Sequence, residues 1–266
     1  MNLSYFIGAV LVFAAMVFGI MRTGEIMNFI DFAGIIITIC GTLFALFSSF
    51  PMKETAKVIQ HFPILLGRQK WDPIYYIDII TELSQEARKK GLLALEDRVS
   101  EFEDPFLRDS VMLIVDAMEP DKVRDQLDNE LGCIEARHAS AWSFYDKGAA
   151  MAPAFGMCAT LIALINMLGD MNFEEEGGAT KLAANMSMAL VTTFYGSLMA
   201  NAVFIPIGTQ LRVAHEKEML CKEIIIEGII SIQAGENPRH INEKLMSFMN
   251  RRQRDKYSAL QDTASE

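Results

Sequence analysis

Positive charge is scarce in this chain. Lys and Arg total 24 against 34 Asp and Glu, a formal net charge of −10. That balance excludes a nucleic-acid binder, which needs a basic face to meet phosphate. Cysteine is scarce too, and the 4 present form no CxxC pair and no Cys/His metal spacing. Cys40 and Cys158 lie in apolar blocks, Cys133 and Cys221 in charged helical segments. They read as reduced thiols rather than a disulfide framework. No nucleophile–base set, phosphate loop or metal cluster is present, so the sequence does not read as an enzyme. His61, His138, His215 and His240 fall in unrelated segments outside the apolar blocks and read as solvent-facing helix residues. Period-2 alternation with hairpin turns, internal repeats and low-complexity stretches are also missing, which argues against a β architecture.

The most telling absence is local. Hydrophobic residues make up 51% of 266, and they gather in four blocks from which charge is missing. Leu3–Met21, Phe32–Phe50, Ala149–Leu168 and Ala183–Ile207 contain no Asp, Glu, His, Lys or Arg. A bilayer core is crossed by about 20 apolar residues of helix, so each block is a span. The first lacks a basic n-region and its apolar core is too long for a cleaved leader. Asp31 and Asp170 sit only at the outer ends of spans. Ion-coupled membrane machines place an ionisable group within the bilayer. If this chain conducts ions, another polypeptide supplies the carrier.

Lys and Arg set the orientation. Residues 51–147 carry 13 of them, with Lys53 and Lys57 beside a membrane exit. The 22–31 connection carries only Arg22, and 170–182 only Lys181 beside Glu174, Glu175 and Glu176. The positive-inside rule puts 51–147 and the segment from 208 in the cytoplasm. The expectation is an all-α integral membrane protein with four transmembrane helices and a helical cytoplasmic domain. Its organisation is 1–50 (spans 1 and 2), 51–147 (cytoplasmic helical domain), 148–207 (spans 3 and 4) and 208–266 (cytoplasmic helices and tail). Apolar residues at 74, 77, 80, 83 and 87 form a helical stripe. Val111–Met118 and Val213–Ile232 are similar. Asp104-Pro105 and Asn237-Pro238 each read as an N-cap with Pro at the first helical position. The polar residues from Arg254 read as a frayed tail.

Spans 3 and 4 carry small residues on one face. Ala149, Ala152, Gly156, Ala159, Thr160 and Ala163 recur at steps of three and four; so do Ala189, Thr193, Gly196, Ser197, Ala200 and Asn201. Such faces let helices approach closely; with Thr among them they also line a polar seam. The plainer reading is ordinary helix packing. Pro153 and Pro206 stand near the cytoplasmic ends of these spans, as static kinks or as hinges.

Five motifs resemble the MotA family of flagellar stator subunits and its sodium-type relative PomA. Met151-Ala-Pro-Ala-Phe-Gly-Met-Cys-Ala-Thr-Leu-Ile-Ala-Leu164 is similar to the family's third-span motif, and Leu190-Val-Thr-Thr-Phe-Tyr-Gly196 to its fourth-span motif. Val203-Phe-Ile-Pro-Ile207 matches the proline at that span's end. Arg88-Lys-Lys-Gly-Leu-Leu-Ala-Leu-Glu96 resembles the cytoplasmic motif with its Arg and Glu, and Gly235-Glu-Asn-Pro-Arg239 the start of the C-terminal helix. The likeness runs from the first span to about residue 249.

The resemblance implies a bacterial inner-membrane protein, five copies of which ring two copies of a MotB-like partner. That partner has one membrane helix with a critical Asp and a peptidoglycan-binding domain. Ions pass through the shared channel, and the ring turns and pushes on the rotor protein FliG. Arg88 and Glu96 match the rotor-binding charges, with Lys89 and Lys90 as weaker candidates; on one continuous helix they would share nearly one face, though Gly91 could break it. Pro153 and Pro206 match the coupling prolines. Thr193 matches a hydroxyl close to the partner's Asp, and Thr160 and Thr192 the additional hydroxyls of sodium-type stators. Sodium is the favoured ion, with the proton as the alternative, and no resident cofactor is implied. Thr192 and Thr193 point about 100° apart on a helix, so both reach one ion only with local distortion. Thr in a membrane helix also often just bonds its own i−4 carbonyl.

Two rivals remain at this point. A TolQ/ExbB-like energiser of an outer-membrane partner has three spans and an intramembrane Glu, which this chain lacks. A passive membrane scaffold or channel has no use for Arg88 and Glu96.

Overall fold

The computed structural model describes residues 3–61, 63, 71–169, 178–252, 254, 255 and 257. Asp170, the Glu174–Glu176 connection and most of the tail beyond Arg254 lie outside the described residues. The chain is an all-α membrane protein, with no strand among the described residues. It divides into two compact units: residues 1–69 with 138–213, and 70–137 with 214–266.

The first unit holds the apolar helices. α1 (Leu3–Thr23) is 21 residues long, about 31 Å at 1.5 Å per residue. The second span is built in pieces: a 3-10 turn at Ile26–Phe29, α2 (Phe32–Ile35), a π-helical segment at Ile36–Cys40 and α3 (Gly41–Ser49). α4 (Met52–Ala56) and a 3-10 turn at Lys57–His61 follow. The stretches Ile26–Ser49, Pro120–Gly169 and Thr180–Gln233 are long and apolar enough to cross a membrane, and Ile7–Thr23 is a shorter apolar helix. Their outward side chains are what lipid requires and water penalises. Phe18, Ile165 and Leu190 are 67%, 67% and 72% exposed.

The second unit contains α5 (Pro73–Lys90), a 3-10 turn at Leu92–Leu95, α6 (Glu96–Val99) and α7 (Pro105–Val115). The start of α8 (Pro120–Gly169) belongs to it as well. α9 (Gly178–Leu198) and a π segment at Met199–Phe204 return to the first unit. α10 (Ile205–Gln233) ends in the second unit, followed by α11 (Pro238–Met246). The core here follows the sequence stripe: Tyr76, Ile77, Ile80 and Leu83 of α5 pack with Leu107 and Ile114 of α7, Ile225 and Ile229 of α10 and Ile241 of α11. Each such aliphatic side chain contributes roughly 1.5–3 kcal/mol on burial. Gly228 lets α10 meet α5 closely, because a Cβ there would stand 2.5 Å from Ile80 Cγ2. Three helices start alike, with a side-chain cap before a proline that has no N–H to leave unpaired. Asp72 accepts from Ile74 N at 3.1 Å, Asp104 from Phe106 N at 3.0 Å and Asn237 from Arg239 N at 3.1 Å.

The two prolines are accommodated differently. Pro153 lies inside α8, which continues through it. Pro206 comes just after the π segment Met199–Phe204. A proline has no N–H for its i−4 carbonyl and its ring crowds that carbonyl, and a widened π turn relieves the crowding.

Candidate functional site

The site begins with two glycines. A Cβ on Gly156 would stand 2.9 Å from the Thr192 carbonyl oxygen, and one on Gly196 would stand 2.6 Å from the Ala152 carbonyl oxygen and 3.1 Å from Pro153 Cα. These are backbone contacts with nowhere to move. Only glycine permits α8 and α9 to come this close, and the closeness brings their polar side chains together.

All three threonines expected in the ion pathway meet there. Thr160 Oγ1 lies 2.7 Å from Thr193 Oγ1 and 3.4 Å from Thr192 Oγ1. All three hydroxyls converge on the Ala189 carbonyl oxygen, at 3.0 Å from Thr160, 3.0 Å from Thr192 and 3.2 Å from Thr193. Thr160 Oγ1 also reaches the Gly156 carbonyl at 3.0 Å. The backbone directions of Thr192 and Thr193 do differ by about 100°, but their oxygens do not stay apart, because each curls back to the same carbonyl. Local i−3 and i−4 bonding, the plainer role for these residues, is present at the same time.

Proton arithmetic defines what this cluster can do. Three hydroxyls bring three hydrogens, and a carbonyl oxygen has two lone pairs. Not all three can donate to Ala189 at once. Thr193 can donate to Thr160, Thr160 to Gly156, and Thr192 to Ala189. Each carbonyl also accepts the N–H one turn along its own helix, so both carbonyls are then filled and the unused lone pairs lie on the hydroxyls. Three neutral hydroxyl oxygens with free lone pairs suit a hard cation, because oxygen ligands are what a dehydrating alkali ion accepts in place of water.

The neighbouring threonines have different surroundings. Thr192 is fully buried, and its methyl lies where a Gly34 side chain would be: a Cβ there would be 2.6 Å from Thr192 Cγ2. Thr193 is exposed. Tyr195, one helical turn from Thr192, donates to the Phe29 carbonyl and accepts from Asp31 N–H at 3.2 Å. Asp31 itself caps α2, its carboxylate accepting from Gly34 N at 2.5 Å. The Ala189 carbonyl, Gly34 and Tyr195 were not singled out by the sequence reading. A backbone acceptor carries no residue-type signal, and the other two act through long-range contacts.

In the second unit, Gly91 has φ +88° and ends α5, with its N–H bonded to the Ala87 carbonyl at 2.8 Å. Of the two possibilities left open for Arg88 and Glu96, one continuous helix or a break at Gly91, the structure has the break. Arg88 sits in the last turn of α5, and Glu96 begins α6 beyond a 3-10 turn. Both are exposed, and among the described residues neither has an ion-pair partner. Lys89 is exposed like them, while Lys90 is spent on Glu86 at 2.7 Å.

One histidine departs from the solvent-facing expectation. His61 is 9% exposed, with Nδ1 3.1 Å from Tyr145 Oη. Burial pulls its pKa below the ordinary value, with Lys57 adding to the fall and Glu54 opposing it. Cys221 is fully buried and its thiol is pushed up to about 12 by burial, so it is inert as a nucleophile. Among the described residues no three His, Cys, Asp or Glu gather to hold a metal.

Fold and site together define a multi-pass helical membrane subunit with a polar seam and no ionisable group of its own along it. Residues 98–224 match the model of the MotA/TolQ/ExbB proton channel family. Motility protein A of Borreliella burgdorferi is 35% identical over 260 residues, covering 97% of this chain and 98% of that one. Chemotaxis protein PomA of Vibrio alginolyticus is 30% identical over 250 residues, covering 94% and 96%. The flagellar MotAB stator complex of Bacillus subtilis contains a chain that superposes with a TM-score of 0.86 at 29% identity, covering 95% of this chain and 98% of that one. The chain belongs to the MotA/PomA family of flagellar motor stator subunits.

Proposed function

We propose that this subunit, with a MotB-like single-span partner anchored to peptidoglycan, passes sodium ions down their gradient and turns the flow into torque on FliG. In this reading five copies surround two partner chains, residues 51–147 and 208–266 are cytoplasmic, and 1–50 and 148–207 hold the four spans. Thr193, exposed on α9, faces the partner's carboxylate, and Thr160 and Thr192 complete an oxygen shell. Pro153 and Pro206 transmit ion passage to the cytoplasmic helices, and Arg88 and Glu96 meet the rotor. The observation that carries the choice of ion is the convergence of three hydroxyls on the Ala189 carbonyl, in a chain whose spans hold no carboxylate. A proton path needs only a carboxylate and water, whereas a sodium ion needs several oxygen ligands.

The energy scale is adequate. One elementary charge crossing 100 mV releases about 2.3 kcal/mol, enough to bias a rigid-body step but not to unfold a helix. The deciding experiment is swimming speed in sodium-free and sodium-containing buffer, with a proton uncoupler as the second arm. Speed that rises with sodium and survives the uncoupler supports the reading. Speed that ignores sodium and collapses with the uncoupler refutes the choice of ion.

A further inference from the structure

Arg98 is the most heavily engaged cation of the α5–α6 hairpin among the described residues. Its Nε donates to Glu101 Oε2 at 2.8 Å, its Nη1 to Glu86 Oε2 at 3.2 Å, and its Nη2 lies 3.7 Å from Glu82 Oε2. Two of these carboxylates are on α5 and one follows α6, so a single planar guanidinium ties the two arms of the hairpin across Gly91. Arginine suits the task because its donors leave one plane in fixed directions, which a lysine ammonium cannot copy. Glu86 is shared, since Lys90 approaches its other oxygen at 2.7 Å.

The contrast with the outward charges is chemical. Within 88–98, Lys90 and the half-buried Arg98 are neutralised by carboxylates, while Arg88 and Glu96 stand exposed and unpaired among the described residues. Gly91 alone would let the two arms swing, because its φ of +88° is in a region glycine enters at little cost. Leu95 is completely buried and pins the 3-10 turn from below. The ionic clasp fixes the arms laterally.

We propose that Arg98 is a positioning residue for rotor engagement: clasping Glu86 and Glu101, it holds Arg88 and Glu96 at one fixed spacing across the Gly91 break. The proposal rests on the reading that Arg88 and Glu96 face the rotor. Arg98 itself does not meet the rotor in this scheme.

The test uses the full stator complex. Hydrogen exchange is measured over residues 86–101 for wild type, Arg98→Ala and Arg98→Lys, with stall torque in cells alongside. Arg98→Ala should speed exchange at residues 92–96 about fivefold, the scale of one well-formed exposed ion-pair network. Exchange in α7 should stay unchanged and torque should fall. Arg98→Lys should recover part of both. A FliG charge reversal that rescues Arg88→Glu should not rescue Arg98→Ala. If Arg98→Ala lowers torque with no change in exchange, Arg98 touches the rotor directly and the clasp is wrong. Faster exchange with unchanged torque overturns the positioning role while leaving the rotor-facing reading intact. Unchanged torque after reversal of both Arg88 and Glu96 overturns that reading, and the proposal with it.

Discussion

Thr192 and Thr193 are chain neighbours that share an acceptor and little else. Thr192 is buried with its methyl against Gly34, so its replacement by Val keeps the packing and removes only an oxygen. Thr193 is exposed, so its hydroxyl can exchange Thr160 for an incoming ion. Ser at position 193 should therefore be mild and Val severe, with the Val defect partly relieved as sodium rises. Measured speed against sodium for the two variants checks this, and equal tolerance of Ser and Val would mean that the hydroxyl only fills space.

His61 makes a separate prediction at the same scale. Its folded pKa lies below its ordinary value of about 6.5 because burial disfavours the imidazolium. A group depressed in this way contributes its stability above the unfolded pKa and loses it as pH falls through the folded one. The segment around His61 and Tyr145 should therefore be intact at neutral pH and loosen as pH drops below about 6.5. His61→Gln, which carries no charge at either pH, should flatten that dependence. Hydrogen exchange of residues 52–61 at pH 7.5 and 5.5 reads it directly. An identical pH response in both proteins would show that another group is responsible.

At the scale of elements, glycines separate into those that permit a structure and those that weaken one. Gly91 has open space around it, so Gly91→Ala meets no clash and costs only the extended positive-φ backbone that glycine alone enters readily, about 1–3 kcal/mol. Gly132, in the first third of α8, also has open space but ordinary helical geometry, so Gly132→Ala should stabilise by about 0.5–1 kcal/mol. Gly196→Ala should be the most damaging, because its Cβ would press on the Ala152 carbonyl and force α8 and α9 apart. Thermal unfolding of the three variants in one detergent should rank Gly132→Ala above wild type, then Gly91→Ala, then Gly196→Ala. Gly196→Ala equal to wild type would mean the two spans are not in close register.

Elements with a periodic signal were legible in the sequence. The α5 stripe at 74, 77, 80, 83 and 87, the capped starts at Asp104 and Asn237, and the charge-free spans all follow from residue type and spacing. The three threonines were legible through family resemblance, but their meeting point was not. It is a backbone carbonyl, reachable only because Gly156 and Gly196 draw two spans together. His61 was misread because its partner lies 84 residues away. The π segments at Ile36–Cys40 and Met199–Phe204 left no periodic mark either, although Pro206 gave a local reason for a disturbed turn.

At the scale of the molecule, the defining property is what the spans leave out. In the proposed reading neutral oxygens cradle the ion and the counter-charge comes from elsewhere, so this chain is one part of a device. That division would account for a polar seam made of Thr and backbone carbonyls, and for the exposed charges Arg88 and Glu96, unpaired among the described residues, in the other unit. The most direct test is the rotation speed of single motors as external sodium is varied at fixed pH and fixed membrane voltage, for wild type and Thr193→Val. The account predicts a saturating rise with sodium in wild type and a curve displaced to higher sodium in the variant. A wild-type speed independent of sodium that tracks external pH instead would contradict it.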